Sequence, residues 1–331
     1  MTACSCRDDK TRKAFYRTQT TARTAATRGA FHMDFDTTGK VCLDHIYTAP
    51  DPCEYYSTLG RLDYCIPQLA KPYFETLLDR YRHSTGTPSP MVLDIGCSYG
   101  VNAALLKLDL SLEELYEHYS TVTGAGGPRR NELLDRDRAL ARTRRVPTGP
   151  RVVGLDSSAP ALSYAAAAGF LDGIVHADLE AHDPSPAQRT ALSTAEIVIS
   201  TGCVGYVTDQ TITRIIDATD GRMPWMAHFV LRMFPFDAIG ESLADRGYET
   251  VRLERLFRQR RFASPEEQSL VLDTLSDIGV DPTGTEDSGW LHAELFLSRP
   301  PVGASRHLAD LGATATPFRV RSGSGAGSPR G

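Results

Sequence analysis

Residues 91–106 read MVLDIGCSYGVNAALL, a pattern that predicts a buried strand, a glycine turn and the start of a helix. The apolar run 91–93 follows two prolines and is typical of a central parallel strand. Gly96 and Gly100 bracket the turn, where a residue without a Cβ lets the backbone take positive φ and lie close to a ligand. The stretch therefore predicts a nucleotide-binding corner at the end of a strand.

The corner begins with an acidic residue, which distinguishes it from the glycine-rich turn that binds dinucleotides. A carboxylate at Asp94 would repel a pyrophosphate, whereas it attracts a ligand that carries an ammonium group and ribose hydroxyls. The order acidic-x-Gly-x-Ser-x-Gly resembles motif I of the class I S-adenosylmethionine-dependent methyltransferases, in which a glycine usually stands at the position of Ser98. This resemblance covers about residues 60–300 and implies S-adenosylmethionine as the cosubstrate.

The resemblance also implies the fold class. We expect an α/β, Rossmann-like class I methyltransferase fold with a seven-stranded, mostly parallel sheet, an antiparallel last strand and a helical N-terminal extension. Besides 91–95, runs with strand character lie at 151–156, 173–180, 196–202, 225–233, 248–253 and 291–297. The acidic ends of the first two strands, Asp94 and Asp156, are separated by more than the roughly 20 residues of a compact dinucleotide-binding unit. An insertion between them accounts for the excess.

Composition shifts along the chain predict four parts. Residues 1–43 lack a sustained apolar period and are expected to form a flexible N-terminal arm. Residues 44–84 are tyrosine-rich at helical spacing and predict a helical extension or lid. The binding domain is assigned to 85–300, with a helical insertion at 110–148 whose charged helix is interpreted as solvated. The glycine- and serine-rich residues 301–331 predict a flexible tail.

Bulk composition excludes several function classes. The chain has 331 residues, 41% hydrophobic and 23% charged, which is ordinary for a globular protein, and its net charge of −5 argues against a nucleic-acid partner. No apolar run approaches the roughly 18 residues of a membrane helix, so no membrane partner is expected. The seven cysteines show no paired zinc spacing, so no metal is expected. We expect a cytoplasmic protein with reduced thiols. The sequence leaves its oligomeric state open.

The resemblance assigns roles to residues that follow the predicted strands. Asp156, after the second strand, would accept hydrogen bonds from the ribose hydroxyls, and Asp178, after the third, would meet the adenine amino group beside Leu179. Thr201 and Gly202 would lie near the methionine part. The residues expected to bind the cofactor are therefore Asp94, Gly96, Cys97, Ser98, Tyr99, Gly100, Asn102, Asp156, Ser157, Asp178, Leu179, Thr201 and Gly202.

Methyl transfer needs few catalytic groups, because the sulfonium of S-adenosylmethionine activates its own methyl carbon and the protein mainly aligns a nucleophile. Tyrosine rings can stabilise a positive sulfonium, so Tyr64 and Tyr206 are the candidates for a direct role. Core packing is an equally good interpretation of each. The histidines in or beside strands, His176, His228 and His292, are interpreted as structural. No general base is assigned.

Three functions remain open at this point. The first is methyl transfer to a small molecule in bacterial specialised metabolism, in keeping with the Arg- and Ala-rich composition. The second is a non-methylating reaction on the same fold, in which S-adenosylmethionine alone cyclises to azetidine-2-carboxylate and methylthioadenosine. It would require a closed, aromatic-lined pocket, which the tyrosine-rich extension could cover. The third is a non-catalytic protein that binds S-adenosylmethionine.

Overall fold

A mixed β-sheet forms the centre of the molecule. The computed structural model describes residues 34–120, 130–301 and 315–317, in which the sheet has eight strands in the order β3-β2-β1-β4-β5-β7-β6-β8. Neighbouring strands from β3 to β5 are parallel, β7 is antiparallel to β5 and β6, and β8 is antiparallel to β6. The bounds are β1 Met91–Ile95, β2 Arg151–Asp156, β3 Gly173–His176, β4 Ile197–Thr201, β5 Trp225–Leu231, β6 Glu249–Arg261, β7 Trp290–Arg299 and β8 Ala315–Pro317.

The seven predicted strands are all present, and β7 is the antiparallel strand of the predicted sheet. The structure differs from the prediction at the sheet edge. The range 301–331 was expected to be a flexible tail, but Ala315–Pro317 pairs with Val251, Arg252 and Leu253 as an eighth strand. Strand β6 also continues past its predicted end, because register shifts let it follow β7 as far as Arg261. The rest of the tail lies outside the described residues.

Helices cover both faces of the sheet. Their bounds are α1 Asp44–Tyr47, α2 Cys53–Arg61, α3 Ile66–Thr85, α4 Val101–Lys107, α5 Leu112–Ser120, α6 Arg130–Thr143, α7 Ala159–Ala168, α8 Pro186–Leu192, α9 Asp209–Asp217, α10 Asp237–Asp245 and α11 Pro265–Asp277, with a 3₁₀ helix at Glu286–Ser288. Helices α1 to α3 form the predicted extension, and α5 and α6 lie in the predicted insertion. Within the described ranges, no helix is long and apolar enough to cross a membrane.

Both faces of β1, β4 and β5, and of β2 after its first residue, are buried, which explains why their sequences are largely apolar. Along β1, Val92 packs into the core beneath the helices of the N-terminal extension, whereas Leu93 and Ile95 pack into the core on the opposite face. That opposite core includes Ile212 of α9 and Leu243 of α10. The polar side chains at the carboxyl ends of these strands are therefore held by rigid elements.

The N-terminal segment 34–43, defined here as the strap, packs on the body of the protein. Phe35 and Val41 form a β-bridge, and the amide of Val41 donates to Glu267 of α11 at 2.8 Å. A Cβ at Gly39 would lie 2.8 Å from the Cβ of Leu270, and the φ of Gly39 is +86°, so this contact requires glycine. The predicted arm therefore overlaps a segment with defined contacts. Residues 1–33 lie outside the described part.

The insertion is anchored by a buried carboxylate. Asp137 of the charged helix α6 was interpreted as part of a solvated face, but its side chain is fully buried. It accepts hydrogen bonds from His118 and Tyr119 at 2.7 Å and from Tyr164 at 2.6 Å. A buried carboxylate is stable only when it is hydrogen-bonded, so Asp137 ties α6 to α5 and α7. Residues 121–129 of the predicted insertion lie outside the described part of the chain.

Candidate active site at the carboxyl ends of the parallel strands

The loop that follows β1, residues 96–100, forms the corner predicted from the sequence. The amide of Gly96 donates to the carbonyl of Leu155 at 2.8 Å, which lays the loop across the end of β2. Gly96 and Gly100 have φ values of +64° and +75°, and Ser98 has +49°. Ser98 thus takes the left-handed conformation for which the related motif uses glycine, with a strain of about 1–2 kcal/mol.

Asp156 holds this corner loop from the end of β2. Its Oδ2 accepts the backbone N–H of Ser98 at 2.8 Å, and its Oδ1 accepts the N–H of Ser158 at 2.8 Å. Its side chain is buried. Asp156 therefore shapes the corner loop from the end of β2.

A polar chain links β1, α4 and β4 at the floor of the corner. The side-chain amide of Asn102 donates to Asp94 Oδ1 and to Thr201 Oγ1, each at 3.0 Å. Asp94 Oδ2, Asn102 Oδ1 and Ser98 Oγ are buried with no hydrogen-bond partner among the described residues. Burial raises the pKa of Asp94 from its ordinary value to about 7, although the hydrogen bond from Asn102 lowers it. The floor thus presents acceptors suited to a cation.

A cavity of about 290 Å³, called the corner cavity here, opens beside the loop. Five of the predicted cofactor-binding residues lie in its wall. The full lining is Ile95, Gly96, Leu155, Asp156, Ser157, Ala177, Asp178, Leu179, Glu180, Val207 and Thr211. Asp178 Oδ1 accepts the amides of Glu180 and Ala181 at 3.0 and 3.1 Å. It therefore shapes its own turn, as a surface Asp commonly does, while lining the cavity.

A second cavity of about 500 Å³, called the tyrosine cavity, lies between the helical extension, the strap and β6. Both residues expected to act directly, Tyr64 and Tyr206, line it. Its full lining is Asp36, Lys40, Val41, Leu43, Asp44, Tyr47, Leu59, Tyr64, Tyr206, Gln259 and Arg260. The side chains of Thr201 and Tyr55 lower the pKa of Tyr64, but burial outweighs them and raises it well above its usual value. Tyr64 therefore lies near Thr201, at the end of the polar chain of the corner.

The strap closes the tyrosine cavity against the loop after β4. The hydroxyl of Tyr206 donates to Asp36 Oδ2. Asp36 Oδ1 in turn accepts the amides of Thr38 and Lys40 at 2.8 and 3.1 Å. The ammonium of Lys40 lies 4.9 Å from the centroid of the Tyr206 ring, within cation–π range. The carboxylate and the cation thus fix the orientation of Tyr206.

A buried ion pair supports the opposite wall of this cavity. Arg260 of β6 donates from its two terminal nitrogens to Glu267 of α11 at 3.0 and 2.7 Å. Glu267 also accepts the amide of Ala263 at 2.7 Å, besides the amide of Val41 in the strap. Burial alone would raise the pKa of Glu267, but the hydrogen bonds and charge of Arg260 hold it below its usual value. The pair therefore joins the strap, β6 and α11.

No family model and no curated protein matches the sequence. Among solved structures, the chain is similar to the plantazolicin methyltransferase BpumL in complex with SAH, at 12% identity and a TM-score of 0.37 over 78% of this chain and 93% of that one. It is also similar to magnesium protoporphyrin IX methyltransferase from Synechocystis PCC 6803 with bound SAM, at 12% identity and a TM-score of 0.31 over 69% and 77%. A TehB-like methyltransferase from Corynebacterium glutamicum gives 15% identity and a TM-score of 0.31 over 66% and 84%. Identities and TM-scores this low carry no argument about activity.

The strand order is more informative. The first seven strands run β3-β2-β1-β4-β5-β7-β6 with β7 alone reversed, and the turn after β1 carries the Asp-x-Gly-x-Ser-x-Gly pattern. This chain has the class I methyltransferase fold. In that fold a ligand binds outside the carboxyl ends of the strands, where the strand order reverses between β1 and β4. The corner cavity lies at the ends of β1 and β2, on one side of this reversal.

Some predicted site residues of the methyltransferase fold line neither cavity. The Tyr99 hydroxyl donates to the carbonyls of Ile46 and Ala49 at 3.1 and 2.8 Å, so its side chain joins the corner loop to the helical extension. Cys97 is buried, and its Sγ lies 2.4 Å from the position that a Cβ on Gly154 would occupy. Gly100 packs against Ala165, whose Cβ lies 3.2 Å from the position that a Cβ on Gly100 would occupy. These three residues shape the corner from behind.

The strand histidines have the structural contacts expected of them. His228 is buried, and its Nδ1 shares a hydrogen bond with the hydroxyl of Ser200 at 2.8 Å. Burial lowers the pKa of His228 to about 4, so its ring is neutral near pH 7. His176 is exposed and contacts the carbonyl of Ser157 at 3.0 Å. In the described ranges, no group of three or more His, Cys, Asp or Glu side chains could hold a metal ion.

Sequence reasoning missed several residues that build the two cavities. Glu180 lines the corner cavity and accepts the hydroxyls of Thr208 and Thr211 at 2.8 and 2.6 Å, which fixes the start of α9. Gln259 and Arg260 of β6 and Lys40 of the strap line the tyrosine cavity. The nearest sequence signal for Glu180 was its position two residues after Asp178. The other three had none, because they are brought to the site only by long-range packing.

Proposed function

We propose that this chain is an S-adenosylmethionine-dependent methyltransferase that acts on a small molecule. The observation that carries the proposal is the placement of Asp94, Asp156 and Asp178 at the carboxyl ends of three adjacent parallel strands, with Asp156, Asp178 and Leu179 in the wall of the corner cavity. Carboxylates in these positions suit an adenosyl ligand with a positive charge and repel a pyrophosphate. The proposal also places the enzyme in bacterial specialised metabolism, on the basis of its Arg- and Ala-rich composition.

The residues present fit this cosubstrate. A ligand with an ammonium group would satisfy the buried acceptors Asp94 Oδ2 and Asn102 Oδ1, which have no partner among the described residues. The carboxylate of Asp156 would accept hydrogen bonds from the ribose hydroxyls, and Asp178 and Leu179 would lie beside the adenine. When bound, S-adenosylmethionine supplies a methyl group already activated by its sulfonium. The chain's own task is therefore to bind, orient and exclude water.

The tyrosine cavity is the proposed site of the acceptor. Tyr64 lies near Thr201 of the polar chain, and Tyr206 is oriented by Asp36 and Lys40. Their aromatic rings can stabilise a nearby positive charge. The strap covers the cavity and would limit the access of water during transfer. Rigid orientation of the acceptor in this space is the main contribution expected from the protein.

One observation favours the second candidate, intramolecular cyclisation of S-adenosylmethionine. The tyrosine cavity is lined by Tyr47, Tyr64 and Tyr206, and the strap covers it, as a site for a single ligand requires. In that reaction the α-amine would displace sulfur from the γ-carbon and lose a proton, and the products would be azetidine-2-carboxylate and methylthioadenosine. Fold does not distinguish the two chemistries.

Incubation of the purified full chain with S-adenosylmethionine alone separates these candidates, with products followed by mass spectrometry. A methyltransferase leaves the cosubstrate intact until a panel of small-molecule nucleophiles or a metabolite extract is added, and S-adenosylhomocysteine then accumulates. Immediate formation of methylthioadenosine and azetidine-2-carboxylate would replace the first proposal by the second. Tight binding without any product from either mixture would indicate the non-catalytic function.

A binding measurement gives the proposal a test that is independent of the acceptor. Isothermal titration calorimetry of the full chain with S-adenosylhomocysteine should show stoichiometric binding. NADH, which carries a pyrophosphate, is the comparison ligand and should not bind. Binding of NADH in place of S-adenosylhomocysteine would contradict the interpretation of the acidic corner.

A further inference from the structure

Gln259 is an unusual residue for the interior of a sheet. Its side chain is 2% exposed, and its carbonyl oxygen accepts the amide of Cys65 at 2.8 Å, so β6 and the loop before α3 hold its backbone. Its side-chain oxygen Oε1 has no hydrogen-bond partner among the described residues. A buried acceptor without a partner costs about 1–3 kcal/mol. A residue retained at that cost in the wall of a cavity is suited to binding a ligand.

The amide of Gln259 packs against the loop that follows β4. A Cβ at Gly202 would lie 2.4 Å from Gln259 Nε2, and Gly202 has a φ of +76°. Only glycine therefore allows the amide to approach this closely. The preceding residue, Thr201, accepts from Asn102 at 3.0 Å. Gln259 thus packs against Gly202, the residue that follows Thr201, where the polar chain that begins at Asp94 ends.

Successive contacts link Asp94, Asn102, the Thr201–Gly202 loop and Gln259. Along this series, Asp94 Oδ2, Asn102 Oδ1 and Gln259 Oε1 are buried without a hydrogen-bond partner among the described residues. The hydrogen bonds distinguish the oxygen of the Asn102 side chain from its nitrogen, because the nitrogen donates to Asp94 and Thr201. All three atoms can accept a hydrogen bond. An alkylammonium group has N–H donors and a positive charge, so it complements acceptors of this kind.

We infer that Gln259 is a specificity-determining residue that accepts a hydrogen bond from the ammonium group of the amino-acid half of the cosubstrate, together with Asp94 and Asn102. The inference rests on the proposed function. It assigns a binding role to β6, a strand outside the three that carry the acidic residues. Gln259 also lines the tyrosine cavity. A hydrogen bond to it would therefore hold the amino-acid half of the ligand between the corner and that cavity.

The test compares three ligands that share the adenosine thioether. S-adenosylhomocysteine carries the complete amino-acid half, its deamino analogue has hydrogen in place of the α-amino group, and methylthioadenosine lacks this half altogether. Their affinities are measured by calorimetry for the full chain with the wild-type sequence, Gln259→Leu and Gln259→Met. Both substitutions remove the acceptor and roughly keep the side-chain volume. The affinity for S-adenosylhomocysteine should fall about tenfold or more.

The other two ligands report on folding and on the adenosine site. Methylthioadenosine and the deamino analogue should bind both variants as they bind the wild type, and Gln210→Leu, at an exposed position of α9, should leave all three affinities unchanged. An unchanged affinity for S-adenosylhomocysteine, or an equal loss for all three ligands, would overturn the assignment of Gln259. If the wild type binds none of the three, the proposed function fails and the inference fails with it.

Discussion

The two cavities are assembled in different ways. The corner cavity is built mainly by turns that directly follow β1, β2 and β3, and its acidic residues stand at the ends of those strands. The tyrosine cavity draws on the strap, the helical extension, the loop after β4 and β6, from Asp36 to Arg260. The part of the site that is made from local turns carries a recognisable sequence motif, whereas the part that is made from long-range packing carries none.

The two regions also use charge differently. At the corner, the carboxylate of Asp156 accepts backbone N–H groups and is the proposed acceptor of the ribose hydroxyls. Beside the tyrosine cavity, Glu267 is saturated by Arg260 and by the amides of Val41 and Ala263. Substitutions at the corner should therefore affect ligand binding first. Substitutions at the buried pair should affect folding first.

Glu267→Gln should have the largest effect. It leaves the buried guanidinium of Arg260 without its counter-charge, and removal of one partner of a buried pair costs about 3–5 kcal/mol. Urea denaturation should show this loss in the free energy of unfolding. Glu266→Gln, at the exposed neighbouring position of α11, is the matched control and should behave as the wild type. Equal stability of the two variants would contradict the supporting role of the pair.

Asp156→Ala should weaken binding of S-adenosylhomocysteine by about 3 kcal/mol, or roughly 150-fold. The substitution removes the proposed acceptor of the ribose hydroxyls and also releases the amides of Ser98 and Ser158. Calorimetry gives the affinity, and thermal unfolding gives the separate contribution of the released loop. An affinity equal to that of the wild type would refute the role of Asp156.

The affinity for S-adenosylhomocysteine should rise about tenfold between pH 6 and pH 8, because burial raises the pKa of Asp94 to about 7 and the ammonium prefers the ionised carboxylate. The stability of the unliganded protein should instead decline with pH. Since the ordinary value is 3.8, the unfolded state loses this proton first, so stability falls as the pH rises from about 4 to about 7 and then levels off. Asp94→Asn should remove most of the pH dependence of binding. A wild-type affinity that stays flat across this range would contradict the assignment.

The smallest expected effects concern the backbone of the corner loop. Ser98→Gly relieves the left-handed conformation and removes a buried hydroxyl without a partner among the described residues, so it should stabilise the fold by about 1 kcal/mol. Gly100→Ala should destabilise it by about 1–2 kcal/mol, because the φ of +75° disfavours a Cβ and Ala165 is 3.2 Å away. Thermal unfolding measures both. Shifts of the same sign in the two variants would contradict the strain argument.

The corner, the seven strands and the helical extension could be predicted because their signals are local. A strand buried on both faces requires an apolar run, and a tight turn requires glycine at fixed positions, so residues 91–106 carry this information within one short stretch. The same reasoning placed Asp156 and Asp178 after neighbouring strands. These residues do line one cavity.

Tertiary structure alone revealed the tyrosine cavity, the contact of Gln259 with Gly202 and the burial of Asp137. Each depends on contacts between residues distant in the chain, such as Tyr206 with Asp36 and Cys65 with Gln259. Periodicity identifies which face of an element is apolar, but it does not identify which distant element covers that face. Even at the corner, the sequence predicted the ligand-facing turns, whereas packing determined that Tyr99 supports them from behind.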